Sequence, residues 1–165
     1  MKTWKKALGL VLALACLTIL SGGGLAESVT HDGVTLTRTD KELTADDYTI
    51  TGYLLTIKTA GNYTLSGTAS SNDFRVKVGD RLVTTLTIDT LTINTYRDET
   101  ENDAKQGYSP LDFSDAGATT LILVGKNHLT ARAQNPAVFA PKVEKDDDLA
   151  VQLTIGGEGS LVATG

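Results

Sequence analysis

The chain reads Thr119-Thr-Leu121-Ile-Leu123-Val-Gly125-Lys-Asn-His-Leu129-Thr-Ala131, and 32 residues later it reads Val151-Gln-Leu153-Thr-Ile155-Gly-Gly157-Glu-Gly-Ser-Leu161-Val-Ala163. The apolar, glycine and alanine anchors of the two copies are all separated by this one offset. A looser copy, Leu86-Thr-Ile88 followed by Leu91-Thr-Ile93, begins 35 residues before Leu121. Repeats with periods of this size are typical of stacked arrays, in which neighbouring repeats bury a common core.

Strand patterns continue through the chain from Tyr48 onward. Short segments such as residues 53–57 and 74–78 are rich in β-branched residues and are bounded by Gly, Asn, Asp or Pro. After the N-terminal residues, no window of helical length has apolar residues at the three-and-four spacing of a helix. The sequence therefore predicts an all-β domain over residues 48–165, preceded by a linker or edge strand over residues 27–47.

Two all-β architectures compete for this pattern. A β-sandwich does not require its strands to resemble one another, whereas a parallel β-solenoid stacks similar coils strand on strand. The repeat favours the solenoid. An offset of 32 would then place Leu153 on Leu121 and Ile155 on Leu123, with the glycines at 125 and 157 stacked at a corner.

The same offset makes predictions about side chains and about the ends of the array. It pairs Asn127 with Gly159 at a turn, and Lys126 with Glu158 across neighbouring coils. Residues 96–106 and 141–148 are insertions between matching strands and would project from one face. The last repeat has no polar capping segment, so its open coil is expected to self-associate or to continue into further repeats.

The first 26 residues have the pattern of a secretory signal peptide. Three lysines precede an uncharged apolar run at residues 7–20, and small residues before Glu27 offer a cleavage site after Ala26. The alternatives are an uncleaved N-terminal anchor and lipidation at Cys16. Cleavage predicts a protein that is secreted or held at the cell surface, with no transmembrane anchor left on it.

The charge of the mature chain excludes two classes of partner. Cleavage would remove three lysines from a chain of formal net charge −5 and leave 139 residues with a net charge of −8. Nucleic acids and anionic membranes bind clustered Lys and Arg, so neither is expected as a partner. The mature part contains no cysteine, so burial and backbone pairing must hold the domain together.

Several motifs, in this order along the chain, resemble those of one family. They are Ala60-Gly-Asn-Tyr-Thr-Leu-Ser-Gly67, Thr85-Leu-Thr-Ile-Asp-Thr-Leu-Thr-Ile93, Ser109-Pro-Leu-Asp112, Leu121-Ile-Leu-Val-Gly-Lys-Asn-His-Leu129 and Leu153-Thr-Ile-Gly-Gly-Glu-Gly-Ser-Leu161. Residues 53–165 are similar to the carbohydrate-binding β-helix domains of secreted and cell-surface proteins of clostridia and related Gram-positive bacteria. The resemblance implies a right-handed parallel β-helix, export, and affinity for polysaccharide, with acidic plant glycan as one candidate.

The acidic insertion contains the residues of a candidate metal site, and two tyrosines flank it. Calcium binds carboxylate and carbonyl oxygens, and the candidate calcium ligands are Asp98, Glu99, Glu101 and Asp103. The alternative for these carboxylates is a solvated loop. Tyr96 and Tyr108 are the candidate sugar contacts, because an aromatic face beside polar groups suits a ligand with apolar and hydroxyl-bearing sides.

No motif supports catalysis. The sequence lacks a nucleophile elbow, a metal-binding histidine pair and a phosphate-binding loop. Asp112 and Asp115 would serve as a glycosidase pair only at a separation that the sequence does not define. The predicted function is noncatalytic binding of polysaccharide, and the alternative is a structural or adhesin-like surface module with no specific sugar site.

The calcium site can be tested by thermal denaturation of the secreted chain. A ligand that binds only the folded state stabilises it by about 2.7 kcal/mol at a hundredfold excess over Kd. Calcium should therefore raise the melting temperature and a chelator should reverse the rise, with magnesium as the control cation. A constant melting temperature, together with no heat in calorimetric titration, would rule out the calcium site.

Overall fold

The structure, a computed structural model, describes residues 27–95, 108–131, 135–140 and 152–165. In this part of the chain all regular secondary structure is β, as predicted, and the strands form two sheets. The strands are β1 (Ser28–His31), β2 (Val34–Arg38), β3 (Tyr48–Thr51), β4 (Leu54–Ile57), β5 (Gly61–Thr68), β6 (Arg75–Val78), β7 (Thr84–Asn94), β8 (Leu111–Asp112), β9 (Thr119–Val124), β10 (Lys126–Thr130), β11 (Val138–Phe139), β12 (Leu153–Gly157) and β13 (Ser160–Thr164). The predicted signal peptide, residues 1–26, lies outside the described residues.

The chain alternates between the two sheets from β4 onward. Strands β4, β6, β8 and β11 are neighbours in the five-stranded sheet, and each is followed along the chain by strands of the eight-stranded sheet. We call one strand of the five-stranded sheet, together with the strands of the eight-stranded sheet that follow it, a circuit. The four circuits are β4 with β5, β6 with β7, β8 with β9 and β10, and β11 with β12 and β13. Successive circuits pair in parallel in both sheets.

The hydrophobic core is formed by inward-facing residues of successive circuits. In β7, Leu86 and Ile88 are fully buried, while the threonines that alternate with them are only partly buried. Leu86 lies in register between Tyr63 of β5 and Leu121 of β9, and both of these are buried as well. Burying one large apolar side chain contributes about 1.5–3 kcal/mol, so such rows across circuits hold the two sheets together.

The register between the third and fourth circuits differs from the predicted one by two residues. Ile155 pairs with Leu121, an offset of 34 rather than 32, and the same offset continues through β13. The upstream offset of 35 is correct, because Leu86 pairs with Leu121. A shift of two residues leaves each side chain on the same face of the sheet, so apolar alternation cannot distinguish the two registers.

A close approach of two backbones accounts for this register. Gly125 separates β9 from β10 and has a φ of 64°, a left-handed conformation that most side chains disfavour. Gly159, and not Gly157 as predicted, lies beside it. A Cβ on Gly159 would come within 2.7 Å of the carbonyl carbon of Leu123 and 2.8 Å of the carbonyl oxygen of Gly125, so this position requires glycine.

Two side-chain pairings predicted from the offset of 32 are wrong for the same reason. The ion pair between Lys126 and Glu158 across circuits does not form. The observed partners of Lys126 and Asn127 are Ser160 and Leu161.

Asn127 satisfies the backbone groups at this corner. Its side chain is 1% exposed. Its Oδ1 accepts a hydrogen bond from the backbone N–H of Leu91 at 2.9 Å, and its Nδ2 donates to the carbonyl oxygens of Val124 at 3.0 Å and Ser160 at 3.2 Å. One buried amide thereby connects the second, third and fourth circuits, which is a different role from the turn residue that the sequence predicted.

Replacing Asn127 should destabilise the fold. Asn127→Ala removes the acceptor of the Leu91 N–H and the side-chain donor to two carbonyl groups, and an unsatisfied buried polar group costs about 1–3 kcal/mol. We expect a loss in the free energy of unfolding of at least that size, measured by urea denaturation. Asn62→Ala, at an exposed position in β5, is the matched control and should change it by less than about 0.5 kcal/mol. Equal losses would show that the bridging bonds contribute nothing.

Two antiparallel hairpins adjoin the first circuit. Strand β1 pairs with β2, β2 pairs with β5, and β3 pairs with β4, all antiparallel. Residues 27–47, for which the sequence left a linker or an edge strand open, therefore contain two strands of the eight-stranded sheet, with β1 at its edge.

A buried ion pair between Arg38 and Asp47 lies where these hairpins meet the first circuit. Arg38 is 4% exposed and Asp47 is 1% exposed. The guanidinium donates to the Asp47 carboxylate, to the Tyr63 hydroxyl at 2.9 Å and to the carbonyl oxygen of Ala60 at 2.7 Å. Because both charges have partners, the pair links β2, the 45–47 turn and β5 without an isolated buried charge.

The Asp47 carboxylate is held in its ionised form. Burial by itself disfavours the charge, but the Thr59 hydroxyl at 2.6 Å, the Thr44 backbone N–H at 2.8 Å and hydroxyl at 2.9 Å, and the Arg38 charge outweigh it. The pKa of Asp47 is therefore well below the ordinary value for an aspartate.

Acid should weaken the fold through Asp47. Since the folded pKa is lower than the unfolded one, its contribution is fully present above about pH 5 and is lost as the pH falls below the ordinary carboxyl pKa. Asp47→Asn should therefore reduce the free energy of unfolding more at about pH 7 than at about pH 3, measured by urea denaturation. Asp46→Asn, at the exposed neighbouring position, is the control. An Asp47→Asn loss that is the same at both pH values would contradict this assignment.

Candidate functional site

Of the residues that the sequence nominated for binding, Tyr108 belongs to the described part of the chain. The candidate calcium ligands Asp98, Glu99, Glu101 and Asp103, and the second tyrosine, Tyr96, lie outside the described residues. The calcium site and the sugar contact at Tyr96 therefore stay predictions.

Tyr108 lines a cleft of about 300 Å³ on the outer face of the five-stranded sheet. Its other lining residues come from four strands and two connecting segments: Leu54, Arg75, Lys77, Ser109, Asp112, Asn135 and Phe139. We call this the outer cleft. It brings together residues that lie up to 85 positions apart in the chain.

The alternation of β6 places two cations in the outer cleft. Val76 and Val78 are buried in the core, so Arg75 and Lys77 face outward. Parallel pairing then sets Lys77 beside Asp112 of β8, and Asp112 beside Phe139 of β11. Neighbouring strands are about 4.8 Å apart, so these three side chains form one short row across the sheet.

Arg75 stacks on Tyr108. The guanidinium carbon lies 3.5 Å from the centre of the ring, well within the range of a cation–π contact. Within the described residues, the Arg75 side chain makes no hydrogen bond or ion pair. The ring therefore holds the guanidinium in place, and no other group among the described residues occupies its N–H donors.

Lys77 is paired to a carboxylate at the edge of the cleft. Its Nζ lies 2.6 Å from Oδ2 of Asp115, which is about half exposed. The hydrogen bond that Lys77 donates to Asp115 raises the pKa of Lys77 against the opposing effect of burial, and the charges of Asp115 and Asp112 add to the rise. The same bond lowers the pKa of Asp115, so both groups are charged at neutral pH.

Asp112 is anchored on one side only. Its Oδ1 accepts a hydrogen bond from the backbone N–H of Ser114 at 2.8 Å. Its Oδ2 has no hydrogen-bond partner among the described residues. With Phe139 at 38% exposure in the same row, the cleft offers a cationic donor, an anionic acceptor and an apolar ring to one ligand.

The sequence alone did not identify Arg75, Lys77 and Phe139 as site residues. The alternation of Arg-Val-Lys-Val at residues 75–78 predicts that both cations face outward, and this pattern could have identified them as surface residues of one strand. That they lie beside Tyr108 and Asp112 depends on the pairing of β6 with β8 of the next circuit, and β7 separates these two strands along the chain. Of the two carboxylates considered as a catalytic pair, Asp112 lines the cleft and Asp115 forms an ion pair with Lys77.

Neither a metal centre nor a membrane span is found in the described residues. They contain no group of three or more His, Cys, Asp or Glu side chains placed to hold a metal ion. No helix in this part of the chain is long and apolar enough to cross a membrane.

Comparison with known proteins adds no family to these observations. No protein-family model, no curated protein and no solved structure matches the chain.

Proposed function

We propose that this protein is an exported bacterial module that binds polysaccharide without catalysis, and that the outer cleft is its binding site. The observation that carries the proposal is Arg75, stacked on Tyr108 and without a hydrogen-bond acceptor among the described residues, next to Asp112 and the exposed ring of Phe139. Ligand sites combine apolar surface with a few placed polar groups. A sugar has the matching surface, since its C–H face packs on rings and its hydroxyls both donate and accept.

The fold proposed for the module is a right-handed parallel β-helix. Support comes from the circuits, because the chain returns to each sheet beside the strand of the previous circuit. Eight of the eleven strand pairings among the described residues are parallel, whereas the rival β-sandwich would be built from antiparallel sheets. The hand follows from the strong preference of parallel crossovers for right-handed connections.

Export and the absence of catalysis are parts of the same proposal. The lysines and the apolar run of residues 1–26 support a signal peptide, and hence a secreted or cell-surface location. A glycosidase needs a carboxyl group whose pKa is raised so that it can donate a proton. The pKa of Asp115 at the cleft is lowered instead by Lys77, which is consistent with binding alone.

A second candidate function is a structural or adhesin-like surface module. It is favoured by the last described circuit, whose strands β12 and β13 carry no charged residue. Ile155, in register with the buried Leu121, is 52% exposed. Such an edge suits pairing with further repeats or with a second copy.

Binding in the outer cleft can be tested with a polysaccharide array. The full secreted chain should bind at least one polymer, with and without calcium. Arg75→Ala and Tyr108→Ala should each weaken that binding about tenfold or more, because each removes an anchor of the site. Lys126→Ala, which removes a cation from the eight-stranded sheet, is the charge-matched control.

Each variant needs an unchanged melting temperature for its affinity to be interpreted. If the folded chain binds no polymer on the array, polysaccharide binding is overturned and the structural or adhesin-like module remains as the candidate function. Binding that survives both cleft substitutions would place the sugar site elsewhere on the chain.

A further inference from the structure

We infer that the outer cleft selects a neutral sugar bearing adjacent hydroxyl groups over an acidic one, with Arg75 and Asp112 as the residues that determine this specificity. The inference rests on the proposed function and deepens it. It runs against the acidic glycan that the sequence resemblance puts forward. The argument depends on how the four charges at the cleft are paired.

Among the described residues, the charges at the cleft cancel. Arg75, Lys77 and Asp112 line it, and Asp115 is the ion-pair partner of Lys77. Lys77 already has a carboxylate partner at 2.6 Å. A ligand carboxylate would therefore have to displace Asp115 from Lys77 or rely on Arg75 alone.

A carboxylate bound at Arg75 would also approach Asp112. Arg75 and Asp112 line the same cleft, and Asp112 is beside Lys77, two residues after Arg75 on β6. Two like charges about 4 Å apart repel by about 1 kcal/mol in bulk water and more near a protein surface. The whole chain, with a formal net charge of −5, adds long-range repulsion of any polyanion.

A neutral pair of adjacent hydroxyls fits both residues. The guanidinium donates to one hydroxyl oxygen, and Oδ2 of Asp112 accepts the proton of the other. Both groups are fixed before the ligand arrives, Arg75 by the ring of Tyr108 and Asp112 by the Ser114 N–H. Fixed donors and acceptors lose little conformational freedom on binding, and the exposed ring of Phe139 can pack against the C–H face of the sugar.

The test is the sign of the effect of Asp112→Asn on affinity. The probes are neutral hexasaccharides of glucose, xylose and mannose, and hexagalacturonate as the acidic probe, titrated calorimetrically into the full secreted chain. We expect at least one neutral probe to bind more tightly than hexagalacturonate. Asp112→Asn should weaken the binding of that neutral probe about tenfold, because hydrogen bonds to a charged acceptor are stronger than those to a neutral one.

The substitution preserves the local fold, since the amide oxygen can still accept the hydrogen bond from Ser114. Asp89→Asn, which makes the same charge change on the eight-stranded sheet, is the control and should leave the affinity unchanged. The affinity for the neutral probe should also be nearly independent of salt, because no net charge is paired.

The outcomes separate this inference from the function on which it rests. If hexagalacturonate binds more tightly than every neutral probe, and Asp112→Asn strengthens its binding, the neutral specificity is overturned while polysaccharide binding stands. If none of the probes binds and the polysaccharide array is silent, both are overturned.

Discussion

Backbone pairing between successive circuits is the constraint on which the rest of this structure depends. Each circuit takes its position from the one before it, so the register of one pair of strands determines which side chains meet in the core and on the surface. At the corner between β9 and β10 this register is held by two local features. Gly159 allows the backbone to approach Gly125, and the side chain of Asn127 bonds to three circuits.

The outer cleft is a consequence of the same pairing. Its residues belong to different circuits and become neighbours only because β6, β8 and β11 lie side by side in the five-stranded sheet. The core-facing valines of β6 orient Arg75 and Lys77 outward, and Tyr108 reaches Arg75 from the segment that precedes β8. Most of the cleft residues lie on strands, and groups carried by strands are positioned more precisely than groups carried by loops.

The sequence predicted the all-β class, the alternation of buried and exposed residues, and the offset of 35 that aligns Leu86 with Leu121. It failed on the last register, because a shift of two residues preserves the apolar pattern that served as the signal. The sequence also paired Gly125 with the wrong glycine. Both Gly157 and Gly159 are candidates from the sequence, but it is Gly159 that lies beside Gly125 in the structure. Tyr108 was nominated for its aromatic face, and its partner Arg75 was not.

The sequence by itself thus determined which residues face inward, because the period of two is a property of each strand taken alone. Only the tertiary structure decided which outward residues share a surface. Arg75, the segment from Tyr108 to Asp112, and Phe139 are separated from one another along the chain by whole strands, and their proximity depends on the backbone pairing between circuits. Apolar alternation does not record such a register; at the corner between β9 and β10, for example, it is held by a glycine contact and by one buried amide.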